Sequence, residues 1–140
     1  KRVNMWCHTC HHGKPKPMTL EEELGEKYHL NGPEAALQHY KDLKQKFYGR
    51  DAYDFGESSL NNFGYELLGK DDAAGAIRIL TLNTEEFPNS ANAWDSLGEA
   101  FVKAGDTKKA VECYEKALKL NPEIESAREA LKKIKEAPGK

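Results

Sequence analysis

An all-α fold of stacked helical hairpins is predicted by three observations. A period of 34 residues relates two long stretches of the chain, helix-start signals recur along it, and 39% hydrophobic content with only 9% aromatics suits a small helical protein. At 140 residues the chain has the length of a single domain. Lys+Arg 21 against Asp+Glu 23 gives a net charge of -2, which carries no electrostatic footprint for nucleic acid or an anionic membrane. No apolar run approaches the length of a membrane-spanning helix.

The clearest unit is SANAWDSLGEAFVKAGDTKKAVECYEKALKLNP, beginning at Ser90. Its Trp94, Leu97, Gly98, Phe101, Ala110, Tyr114, Ala117 and Pro122 fall where a tetratricopeptide repeat places large, small and turn residues, and the segment resembles that family. Stepping back 34 residues gives Leu60, Phe63, Gly64, Leu67, Ala76, Leu80 and Pro88, with Asn83 departing from the expected small residue. A more divergent unit lies upstream, where Ala36 and Tyr40 echo Ala110 and Tyr114 and Asn31-Gly32 supplies the turn. Ala36 stands 40 positions before Ala76, so the connection YGRDAYDFGE holds the extra residues. The resemblance implies a helical solenoid of about three hairpins, in which neighbouring units cover the apolar faces that one unit leaves open.

Taken in order, the elements have local reasons. Thr19 with Glu22 is a capping box that opens a helix over 19–30. Pro33 directly after Gly32 starts a second over 33–48. Helices are expected over 57–69, 72–86, 91–104 and 107–120, the last opened by Asp106 and Thr107. A final helix over 123–136 carries Ile124, Ala127, Ala130, Leu131 and Ile134 on one stripe, as a helix capping a solenoid should. Small residues at Gly64, Gly98, Ala76 and Ala110 let paired helices approach, while Leu60, Leu80, Trp94 and Tyr114 fill the space around them. Cys113 reads as core. The expected organisation is an arm over 1–18, a repeat region over 19–136 (units near 19–48, 57–90 and 91–124, then the capping helix) and a tail over 137–140.

The arm, KRVNMWCHTCHHGKPKPM, contains Cys7-His8-Thr9-Cys10-His11. C-x-x-C-H is the attachment signature of a c-type haem: two thiols form thioethers to the vinyl groups on one porphyrin edge, and the adjoining histidine falls beneath the iron as proximal ligand. Zinc and a thioredoxin-like dithiol compete. Zinc wants a second ligand pair, whereas the next cysteine is the distant Cys113; a redox dithiol is expected after a strand, and no strand-like run precedes Cys7. The segment C-x-T-C-H-x-G-x-x-x-P also resembles the haem-binding segments of the cytochrome subunit of photosynthetic reaction centres, which implies roles for Cys7, Cys10 and His11 only.

The leading expectation is an exported monohaem electron-transfer protein, not an enzyme, periplasmic or extracellular in a bacterium, because haem c is attached outside the cytoplasmic membrane. The start at Lys1 predicts a processed form or a fragment. The sixth iron ligand is open: His12 is a candidate, reaching the haem of a neighbouring chain, with His29, His39 and His8 behind it and an ordinary surface role as the alternative for each. A redox partner protein is expected, and chains associating haem to haem would form a homo-oligomer or a filament. Lys14 and Lys16 would steer an acidic partner or simply solubilise the arm, and Glu21, Glu22 and Glu23 are favourable charges at a helix start. The rival expectation is an adaptor whose concave face, with Asn61, Tyr65, Asn92, Asp95 and Glu99, holds a peptide, the Cys/His cluster then being structural or zinc-binding. The basic and asparagine pattern of carboxylate-clamp repeats is not evident.

Overall fold

The computed structural model describes residues 18–137. Among them are seven helices and no strand: α1 (Leu20–Asn31), α2 (Pro33–Phe47), α3 (Glu57–Gly69), α4 (Ala73–Glu86), α5 (Ala91–Lys103), α6 (Thr107–Leu120) and α7 (Glu125–Glu136). The all-α expectation is met, and every expected helix is present to within a residue or two. The chain divides into two compact units, one ending at Ser59 and the other beginning at Leu60.

In the first unit, Thr19 and Glu22 close the capping box in both directions. The Glu22 amide donates to Thr19 Oγ1 at 3.2 Å, and the Thr19 amide donates to Glu22 Oε2 at 2.9 Å. Gly32 ends α1 and precedes α2 with φ 83°, a left-handed conformation that a side chain would strain. Pro33 then occupies the first turn of α2, where its missing N–H costs nothing. Leu20 and Leu24 of α1 are buried, as are Ala36, Tyr40 and Leu43 of α2, each set at helical spacing. The longer connection after α2 is itself packed: Phe55 stands edge-on to Tyr40 with ring centroids 5.8 Å apart, and Tyr53 to Phe47 at 5.5 Å.

One acid in this unit departs from expectation. Glu22 serves the cap, but Glu23, expected only as a favourable charge at the helix start, is 4% exposed. Its Oε1 accepts from the Tyr53 hydroxyl at 3.3 Å, and His39 Nε2 lies 3.1 Å from Oε2. A buried carboxylate is tolerated only with such partners, and both come from parts of the chain that nothing local to the Glu-Glu-Glu run reveals.

The second unit repeats its own construction. An ideal Cβ at Gly64 would sit 2.5 Å from Leu80 Cδ2, and one at Gly98 would sit 2.8 Å from Tyr114 Cε1. Glycine is therefore what allows α3 to approach α4 and α5 to approach α6 so closely. The turns match as well: Asp71, with φ 59°, holds the left-handed place that Gly105, with φ 81°, holds one period later. Asp72 then caps α4 by accepting from the Gly75 amide at 2.9 Å, and Asp106 caps α6 by accepting from the Lys109 amide at 3.1 Å. Trp94 Nε1 donates to the Pro88 carbonyl at 2.9 Å, and one period on Arg128 Nη2 donates to the Pro122 carbonyl at 2.5 Å.

α5 packs on α4 and α6, and α7 on α6 with a lighter contact to α5. Ala110, Tyr114, Ala117, Ala127 and Leu131 form a buried cluster against which Trp94, Phe101 and Ile124 pack. Cys113 is buried, as expected of a core thiol. α7 starts two residues later than its apolar stripe implied: Ile124 is extended and acts as its N-cap without a side-chain hydrogen bond. Asn121 causes the delay, its side chain accepting from the Glu123 amide at 3.1 Å in a turn that α7 must follow. Asn83, which stands where the next repeat has Ala117, is fully buried with both amide atoms unpartnered.

Candidate functional site

The first helix of each hairpin in the second unit supplies side chains to one face. On α5, positions four and seven residues apart carry Asp95, Glu99 and Val102, which share a side of the helix. α7 sets Ser126, Glu129, Ala130, Lys133 and Ile134 opposite them, and Tyr114 of α6 forms the floor. Together they line a groove of about 310 Å³. Its acids are Asp95, Glu99 and Glu129, against the single base Lys133, while Val102, Tyr114, Ala130 and Ile134 make part of it apolar.

Hydrogen bonds between the alternate helices α3, α5 and α7 hold this face. Tyr65 of α3 donates its hydroxyl to Glu99 Oε2 at 2.8 Å. Ser126 of α7 donates to Asp95 Oδ2 at 2.6 Å, while Asp95 Oδ1 is buried without a partner. Burial raises the Asp95 carboxyl above the usual aspartate range; donation from Ser126 opposes the shift and the nearby Glu99 charge adds to it. Burial likewise pushes the Tyr65 phenol up to about 12, opposed by the Ser96 hydroxyl and reinforced by its bond to Glu99 and by the charges of Glu99 and Asp95. Tyr114 is raised by burial first and then by Asp95 and Glu99. Burial and the mutual charges of Asp95 and Glu99 thus make further negative charge costly in this part of the groove, while the Ser96 and Ser126 hydroxyls work against that.

Of the concave-face residues expected from sequence, Tyr65, Asp95 and Glu99 are brought together. Asn61 is half-buried on α3 and Asn92 exposed on α5. Ser126, Glu129 and Lys133 were missed as site residues, although Ser126 stands one period after Asn92, and Lys133 one period after Glu99. Tyr114, expected in the core, belongs to both core and groove floor.

Cys7, His8, Cys10, His11 and His12 lie outside the described residues, as do Lys14 and Lys16. His29 is exposed near the end of α1, edge-on to the Tyr28 ring at 6.0 Å. His39 is half-buried and engaged with Glu23. Among the described residues, no three His, Cys, Asp or Glu side chains are gathered so as to hold a metal ion.

Known proteins speak to the repeats. Residues 91–124 match the family model of the tetratricopeptide repeat. A solved structure, the N-terminal domain of stress-induced protein-1 (STI-1) from C.elegans, superposes with a TM-score of 0.52 at 18% identity, covering 96% of this chain and 100% of that one. At that identity the likeness concerns fold alone. No curated protein matches the chain by sequence. The matched repeat spans α5 and α6 and ends just before α7, so the groove is built on it. The chain is all-α in fold, like the solved domain it resembles, and its residues 91–124 match a tetratricopeptide repeat.

Proposed function

We propose that this chain is an interaction adaptor, a binding protein and not an enzyme, whose groove between α5 and α7 holds a basic segment of a protein partner. One observation carries the reading: three acids and one base line a groove whose remaining wall is apolar. Lysine and arginine suit such a surface because their hydrocarbon stems cover apolar wall while their charged heads meet carboxylates. Glu99 and Glu129 are exposed and able to meet a ligand, Glu99 accepting from Tyr65 through Oε2 only, whereas Asp95 is half-buried and engaged by Ser126.

Binding of fluorescently labelled lysine- and arginine-rich peptides, followed by anisotropy, tests this. A basic peptide should bind more weakly as salt rises, since solvent-facing charges are screened over about 8–10 Å at physiological ionic strength. Glu99→Gln with Glu129→Gln should weaken it, and an acidic peptide of equal length should not bind. Equal binding of basic and acidic peptides would refute the proposal.

Cys7-His8-Thr9-Cys10-His11 favours a second reading, compatible with the first. Cys7 and Cys10 would hold haem c through thioethers and His11 would ligate its iron, making the chain an exported electron carrier, with His12 offered to a neighbouring chain's haem. Intact mass together with a haem stain on a denaturing gel decides it. A mass equal to the bare polypeptide, from cells competent in haem attachment, would refute it.

A further inference from the structure

The charge of this chain is distributed unevenly. Residues 1–17 contain Lys1, Arg2, Lys14 and Lys16 and no aspartate or glutamate. Removing those four cations from Lys+Arg 21 leaves 17 against all of Asp+Glu 23 in the rest of the chain, a net of -6 where the whole has -2. The same 17 residues carry Val3, Met5 and Trp6, large apolar side chains beside the first two cations. The groove has the complementary composition: Asp95, Glu99 and Glu129 beside Val102 and Ile134.

From this complementarity of charge and of apolar surface, we infer that the groove between α5 and α7 is occupied by residues 1–17 of a second copy of this chain. The inference rests on the proposed reading of the groove as a site for basic segments and names the segment. Such a contact is heterologous, since the segment of one copy meets the groove of the next. It leaves a free groove at one end and a free segment at the other, so association continues into a chain of copies or closes as a ring. Glu99 and Glu129 supply attraction and register, the apolar wall supplies contact area, and salt weakens the whole.

The test uses the full chain, with its oligomeric state followed by analytical ultracentrifugation across salt concentrations. A synthetic peptide of residues 1–17, with Cys7→Ser and Cys10→Ser to prevent oxidation, serves as competitor. Association at low salt is expected, reversed by salt and by the peptide. Glu99→Gln with Glu129→Gln should weaken both association and peptide binding about tenfold, the effect of losing two solvent-facing ion pairs. Lys14→Glu with Lys16→Glu should weaken association comparably while leaving the groove able to bind the unaltered peptide. Circular dichroism confirms that each variant is folded. A chain that stays monomeric at every salt concentration overturns the inference, as does association indifferent to both variant pairs. If an unrelated lysine-rich peptide binds and loses affinity with the groove variant while the 1–17 peptide does not bind, the inference falls and the adaptor reading stands. If neither peptide binds, both fall.

Discussion

Replacing Gly64 by alanine tests how the second unit is held together. A Cβ there would lie 2.5 Å from Leu80 Cδ2, 2.6 Å from its Cγ and 3.1 Å from its Cδ1. Non-bonded carbons pack best at about 3.5–4.0 Å, so roughly 1 Å of overlap must be relieved. Leu80 is fully buried, and the branch carbon Cγ is among the atoms struck, so rotation of a flexible chain end is not sufficient. Overpacking of this kind costs about 1–3 kcal/mol, whereas alanine gains up to about 1 kcal/mol over glycine in helix propensity. Packing wins, and Gly64→Ala should lose about 1–2 kcal/mol, lowering the thermal midpoint by about 5–10 °C for a unit of this size. Gly98→Ala should behave alike, since its Cβ would meet the Tyr114 ring at 2.8 Å. Gly69→Ala is the control: nothing lies within 4 Å of a Cβ there, and the variant should be neutral or slightly stabilised. The assay is thermal and urea denaturation followed by helical circular dichroism. Combining Gly64→Ala with Leu80→Ala should cost at least about 1 kcal/mol less than the sum of the single changes, because the second removes what the first collides with. Gly64→Ala raising the midpoint as Gly69→Ala does, or strict additivity in the double variant, would refute the close approach of α3 and α4.

Three further outcomes follow from single residues. Asp71 holds with φ 59° the place that glycine holds at Gly105, so Asp71→Gly should gain about 0.5–1 kcal/mol in urea denaturation, relief of left-handed strain outweighing the added freedom of the unfolded chain. Asn83→Ala removes a fully buried amide without partners and installs the residue found at Ala117; relief of an unmet polar burial of about 1–3 kcal/mol against a small cavity should leave a gain of about 1 kcal/mol by the same measurement. Burial raises the Cys113 thiol from 9.0 to about 11, with Glu112 reinforcing and Lys116 opposing, so it should resist alkylation at pH 8 until the protein is denatured. The sign is that of a proton held more tightly when folded: the stability tied to the neutral thiol is complete below pH 9 and is lost as pH rises through about 11. A Cys113→Ser comparison over that pH range isolates the effect.

The periodic part of the fold was legible because packing itself is periodic. Where two helices touch, geometry demands small residues, and Gly64, Gly98, Ala76 and Ala110 announce those places without any knowledge of their partners. Caps were legible for a similar reason: Thr19 and Asp106 act on amides three residues away, so their partners lie in the same few letters of sequence. The burial of Glu23 was not legible, because its partners His39 and Tyr53 lie 16 and 30 residues away and meet it only after α1, α2 and the following loop have packed. By size alone Asn83 is a tolerable departure from the repeat pattern, but its amide is wholly buried, a cost that a pattern of sizes does not register.

The groove shows where periodicity stops informing. Tyr65, Glu99 and Lys133 occupy one equivalent position in the alternate helices α3, α5 and α7, so the pattern says that all three face the same way. It says nothing of what they do together. Positions where packed helices touch are restricted by volume, as the pairs Gly64 and Gly98 or Ala76 and Ala110 show; positions facing the groove are released from that restriction, and a phenol, a carboxylate and an ammonium are equally compatible with the fold. The chemistry arises instead from neighbours across the period, with Tyr65 donating to Glu99 and Ser126 to Asp95. Both contacts spend a donor on a carboxylate oxygen, and the burial that accompanies them raises the Asp95 carboxyl and the Tyr65 phenol alike. The exposed charge of Glu99 and Glu129 is therefore what an incoming basic segment would read, while Asp95 and Tyr65 set the shape and the field in which it reads them.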